Sequence, residues 1–134
     1  MPESATAPPL AWSRTFPASP EQVRAARRSL ARMLDGHPAA DDAALCLSEL
    51  STNAATHSRS RDGGHFTVRA QLSAGCIRVE VRDQGGRWTP PAPAGDQHGR
   101  GLLIVASLAR DWGITGDSHS GRTVWFEIDG QPRR

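Results

Sequence analysis

The sequence has 134 residues, 37 % apolar and 22 % charged, with a formal net charge of +2; that bounds it to one globular domain with a single core. No apolar run approaches the roughly 18 residues a membrane-spanning helix needs, and residues 1–9 lack the basic start and apolar stretch of a secretory leader. Cys46 and Cys76 show no CxxC spacing, so a reduced, cytoplasmic compartment is expected.

Residues 1–9 are small, polar and proline-rich and are expected to form a disordered tail. A first strand is expected over 10–16, with Trp12, Arg14 and Phe16 on one side and Ser13 and Thr15 on the other. Ser19-Pro20-Glu21-Gln22 is a helix start: Ser19 suits the N-cap, Pro20 the first helical position, and Gln22 completes a capping box. The helix should run over 20–34, with Val23, Ala26, Leu30, Met33 and Leu34 as its apolar stripe and Gly36-His37-Pro38 as its stop. Arg24, Arg27, Arg28 and Arg32 lie elsewhere on its surface. A second helix is expected over 40–57, with Ala43, Cys46, Leu47, Leu50 and Ala54 at helical spacing. Two strands of period two follow, carrying Phe66, Val68, Ala70 and Leu72, then Ile77, Val79 and Val81, joined by a turn at 73–75. Residues 83–99 have no periodicity and are rich in Gly and Pro, the pattern of a functional or disordered loop. A third helix over 101–109 and two strands over 111–116 and 122–128 close the domain, which spans 10–129 with a C-terminal tail over 130–134. The order β-α-α-β-β-α-β-β predicts an α+β two-layer sandwich, with three helices covering one face of a mixed, mostly antiparallel sheet.

Four places could carry chemistry. Glu49 and Asn53 are four apart on the second helix, so a carboxylate and an amide share a face beside the apolar stripe. Asp83 closes a buried strand, and Gly85 and Gly86 after it would let a flat ring approach the backbone. Gly99-Arg100-Gly101 leads into Leu102, where backbone N–H groups at a helix start could cradle phosphates. Gly121-Arg122-Thr123 opens the last strand and offers a hydroxyl for a ring nitrogen or a water. Taken alone, the Glu49/Asn53 pair, Asp83 and Thr123 read more readily as an ordinary helix face, turn and strand. The chain has no lysine, which excludes a standard P-loop. The five histidines are scattered without metal-ligand spacing; His57 alone lies two turns beyond Glu49 on one helical face.

In this order the four places resemble the N, G1, G2 and G3 boxes of the Bergerat-fold (GHKL) ATP-binding superfamily. Leu47-Ser48-Glu49-Leu50-Ser51-Thr52-Asn53-Ala54, Val81-Arg82-Asp83-Gln84-Gly85-Gly86, Gly99-Arg100-Gly101-Leu102 and Gly121-Arg122-Thr123-Val124-Trp125-Phe126 are most similar to the small anti-sigma factor serine kinases of bacteria. The resemblance covers residues 12–128. It implies ATP and Mg²⁺ as cofactors, with Asn53 holding the metal against the phosphates and Glu49 as general base toward a serine hydroxyl. It further implies Asp83 as acceptor of the adenine amine, supported by Thr123 and flanked by Gly85 and Gly86. Gly99, Arg100, Gly101 and Leu102 would cradle phosphates, and residues 86–98 would form a lid. The implied partners are a STAS-domain anti-anti-sigma protein and a sigma factor, with a homodimer in view and no membrane or direct nucleic-acid contact. Two departures stand out: the family's Asp-x-Gly-x-Gly pattern meets Arg87 in place of its last glycine, and the lid segment carries Pro90, Pro91 and Pro93. The rival reading is an ATP-binding adaptor with little or no kinase activity. The catalytic domain of a histidine kinase fits less well, because no helix carrying a phosphoacceptor histidine precedes it in this sequence, and a nucleic-acid binder rests only on the arginine stripe of the first helix.

Overall fold

The computed structural model describes residues 10–57, 64–73, 75–84, 97–117 and 120–129. The chain runs β1 (Leu10–Pro17), α1 (Pro20–Met33), α2 (Ala40–His57), β2 (His65–Ser73), β3 (Cys76–Asp83), α3 (Gln97–Leu108), β4 (Asp111–Asp117) and β5 (Gly121–Asp129). The five strands form one sheet in the order β1-β2-β3-β5-β4, and each of its four junctions is antiparallel. The α+β two-layer expectation therefore holds, with antiparallel pairing throughout the described strands. The expected tails at 1–9 and 130–134, the Gly85–Gly86 pair and most of the proposed lid, Trp88 included, lie outside the described residues.

Local chemistry accounts for the elements. The Ser19 side chain accepts a hydrogen bond from the Gln22 N–H at 3.2 Å with Pro20 in the first turn, which caps α1. On α1 the buried Val23, Ala26 and Leu30 face inward, while Arg24, Arg27, Arg28 and Arg32 are exposed. The His37 ring accepts from the Ala39 N–H at 3.1 Å just ahead of α2. Alternation along β2 buries Phe66, Val68 and Ala70, along β3 Ile77, Val79, Val81 and Asp83, and along β5 Arg122, Val124, Phe126 and Ile128. These faces meet the helices in one core, where Phe16 stacks on Phe66 at 5.5 Å between centroids. Helix α2 lies over β3 and packs on both α1 and α3.

The opposite sheet face is a charged ladder. Arg78 bonds Glu80 at 3.2 Å and Glu127 at 2.8 Å and stacks 4.3 Å from the Trp125 ring; Arg110 bonds Glu127 at 2.9 Å and Asp129 at 2.7 Å. The Arg110 and Arg78 hydrogen bonds hold the Glu127 carboxyl below the usual carboxylate range.

Helix α3 begins four residues earlier than the sequence pattern predicts, at Gln97 instead of 101. Apolar periodicity starts only at Leu102, so the polar first turn leaves no hydrophobic trace. Glycine does not stop a helix there, because the first N–H groups have no intrahelical acceptor to lose.

Candidate functional site

The described residues singled out in the sequence lie on α2, at the end of β3, in the first turns of α3 and at the start of β5. Glu49 and Asn53 are both half-buried, flanking the buried Cys46, Leu50 and Ala54 of α2. The amide nitrogen of Asn53 is shut off from solvent yet has no hydrogen-bond partner among the described residues, and the hydroxyl of the fully buried Ser51 is in the same position. Buried polar groups are nearly always paired, so an unpaired amide at the edge of the core is a binding group waiting for a ligand or a structural cost without return. Glu49 lies one turn after Cys46, whose thiol is pushed up to about 12 by burial, with the charges of Asp42 and Glu49 adding to it.

Asp83 is the last residue of β3 and only 8 % exposed. Its side follows from strand parity: it shares the core face with Val79 and Val81. The end of the sheet that holds it is tied together. The His65 N–H donates to the Gln84 side chain at 2.8 Å, and the Arg82 guanidinium donates to the Ser120 carbonyl at 3.0 Å. Gly121, at φ +117°, brings its backbone so near that an added Cβ would sit 3.1 Å from the Asp83 carbonyl oxygen; glycine is needed there.

Parity also sorts the residues that open the last strand. Thr123 pairs in register with Arg82, and Arg122 with Asp83. Thr123 therefore lies on the outer face with Trp125 and Glu127, and it is Arg122, 7 % exposed, that shares the face of Asp83. The period-two run Arg122, Val124, Phe126, Ile128 in the sequence carried this information. The early start of α3 also moves its free donors. The fourth N–H of a helix bonds the residue ahead of it, as Val23 bonds Ser19 and Ala43 bonds Ala39, so in α3 the N–H groups of residues 97–99 are the ones without an intrahelical acceptor. Leu102 is buried in the core and positions the helix. Helix α3 joins β4 through Ala109 and Arg110, whose N–H bonds the Glu127 carbonyl at 2.7 Å. Its first turn thus lies about 18 Å away from that junction, at a rise of 1.5 Å per residue. Gly85 and Gly86 lie outside the described residues.

Among the described residues no group of three or more His, Cys, Asp or Glu side chains is placed to hold a metal ion. A hard cation at Asn53 would accordingly draw most of its ligands from a bound phosphate chain and water, the usual manner of Mg²⁺.

The histidine kinase-like ATPase domain profile matches residues 16–128. The chain belongs to that family. The matched stretch contains every described site residue, from Glu49 to Thr123, so the Bergerat-fold resemblance of the motifs holds at the level of family and fold. A crystal structure of the RsbU and RsbW domains of Rv1364c from Mycobacterium tuberculosis is similar in fold, with a TM-score of 0.71 at 24 % identity. The match covers 96 % of this chain and 34 % of that one, so the family member described here spans about a third of its length. Among curated proteins none matches the chain. No helix among the described residues is long and apolar enough to cross a membrane.

Proposed function

We propose that this ATPase-family domain is an ATP-dependent protein serine kinase and anti-sigma regulator, acting in the cytoplasm on a STAS-domain anti-anti-sigma protein and sequestering a sigma factor. The observation that carries the reading is the half-buried Glu49–Asn53 pair on α2, with its unpartnered buried amide, on the same side of the sheet as the buried Asp83. In this reading the domain spans 10–129, and the similarity to a protein described by RsbU and RsbW domains supports a role in partner switching.

Asp83 accepts the exocyclic amine of the base, and the N–H groups at the start of α3 with Gly99 and Arg100 hold phosphate oxygens. Asn53 would hold Mg²⁺ through its amide oxygen, the hard ligand that ion prefers, and the ion would neutralise phosphate charge; the buried amide nitrogen, which lacks a partner among the described residues, is a donor and would serve a phosphate oxygen or a water. Glu49 accepts the proton of the incoming serine hydroxyl as its oxygen bonds to the γ-phosphorus and ADP departs with the bridging oxygen. Little else is asked of the protein beyond positioning and charge.

The test is transfer of labelled phosphate from ATP to candidate STAS proteins by wild type and Glu49→Ala. Loss of a general base costs about 10²–10⁴-fold in rate and, being made only during reaction, leaves ATP affinity nearly unchanged. Equal transfer by the two proteins removes Glu49 from the mechanism. ATP binding without transfer to any STAS protein makes the domain an adaptor.

A further inference from the structure

Arg122 is a cation in an unusual place. It is 7 % exposed, on the face of β5 that carries Val124, Phe126 and Ile128, and it stands directly across from Asp83, itself 8 % exposed. Directly opposed residues on one face of an antiparallel pair have Cβ atoms about 5 Å apart, so the two side chains leave their strands side by side under the helix layer. Neither is isolated: both interact with other groups of the protein, as a buried charge must. The two groups are chemically opposite: a carboxylate only accepts hydrogen bonds, a guanidinium only donates them. A fixed acceptor beside a fixed donor complements an edge that offers a donor beside an acceptor. Adenine has such an edge, its exocyclic amine next to a ring nitrogen. Guanine carries an oxygen where adenine has the amine and a protonated nitrogen beside it, so the order is reversed.

We infer that Arg122 is the second base-reading residue of the site, its guanidinium donating to the adenine ring nitrogen beside the amine that Asp83 accepts. The inference rests on the nucleotide-site reading above and adds a specificity determinant to it. Arg122, and not Thr123, then sets the preference for adenine, because it shares the buried face with Asp83 while Thr123 lies on the other.

The experiment is calorimetric titration of the full chain in Mg²⁺ with ATP, with 1-deaza-ATP and 7-deaza-ATP, each lacking one ring-nitrogen acceptor, and with GTP. Wild type should bind 1-deaza-ATP and GTP at least about tenfold more weakly than ATP, the loss expected for a hydrogen bond to a charged donor, while 7-deaza-ATP binds like ATP. Arg122→Met, similar in length and apolar, should bind ATP more weakly and no longer distinguish ATP from 1-deaza-ATP. Should that variant fail to fold, the analogue series on wild type decides alone. The inference is overturned if 1-deaza-ATP binds wild type as well as ATP does, or if a folded Arg122→Met binds ATP as tightly as wild type or tighter. Absence of any ATP binding by wild type overturns the nucleotide-site reading itself, a different outcome from ATP binding that ignores the ring nitrogen.

Discussion

Replacing Asn53 by alanine separates a functional residue from a structural one. Truncating a well-packed interior side chain is costly: Leu47→Ala, at a fully buried position, should destabilise by about 2–5 kcal/mol. Asn53 starts from a different account. Its amide nitrogen is buried without a partner among the described residues, and such a group carries a desolvation penalty of about 1–3 kcal/mol. Alanine removes that penalty while losing a short, half-buried side chain whose contacts are worth about the same. The net change should lie within about 1 kcal/mol, which in a domain of this size shifts Tm by roughly 4 °C. Binding should behave oppositely, with Mg²⁺-dependent nucleotide affinity falling at least about tenfold. Thermal unfolding by circular dichroism, run beside calorimetric titration with ATP in the presence and absence of Mg²⁺, measures both. Stability held and affinity lost is the signature of a residue kept for its ligand at some cost to the fold. A variant that unfolds as easily as Leu47→Ala yet binds Mg²⁺-ATP like wild type would refute the reasoning, because Asn53 would then be a packing residue.

Three further outcomes follow from the same structure. Gly116 sits at φ +87°, where a Cβ would overlap the Gly121 carbonyl oxygen, so Gly116→Ala should destabilise by at least about 2 kcal/mol in chemical denaturation; an unchanged midpoint contradicts the β4–β5 geometry. Burial, with Asp42 and Glu49, raises the Cys46 thiol from 9.0 to about 12; since the fold holds this proton more tightly, its contribution is whole below pH 9 and is lost as pH rises toward 12. Alkylation followed by mass spectrometry at neutral pH should therefore label the half-buried Cys76 well before the buried Cys46, and equal rates would contradict the burial. Glu127 is shifted the other way, chiefly by Arg110 and then Arg78, so its contribution is present above its ordinary value of 4.5 and lost as pH falls through its lower folded value; Glu127→Gln should lose less stability on acidification than wild type, and parallel curves would remove the ladder from the account.

The elements were read well where local chemistry and periodicity agree. Ser19 and Pro20 mark the start of α1 through a cap that is made in the structure, and the alternation of β2 and β3 survives in their burial. The start of α3 was missed because its first turn is Gln, His, Gly and Arg, with nothing apolar to betray a helix. Which residue of the last strand shares the face of Asp83 is legible only through parity. The motif resemblance singles out a hydroxyl, Thr123, while strand parity puts Arg122 on the buried face. Parity is set by register, and register by which residues the helix layer must cover, here Val124, Phe126 and Ile128. The unpartnered Asn53 amide is a property of packing in three dimensions and has no sequence signal beyond its spacing from Glu49.

The most direct measurement of the central claim is calorimetric titration of the full chain with ATP, with and without Mg²⁺, repeated on Asp83→Asn. The account predicts one saturable site that needs Mg²⁺ for full affinity, and an Asp83→Asn protein that still folds but binds ATP at least about tenfold more weakly, the loss expected for a hydrogen bond to a charged acceptor. No binding of ATP by the wild-type chain in Mg²⁺, or ATP binding untouched by the loss of the Asp83 carboxylate, would contradict it.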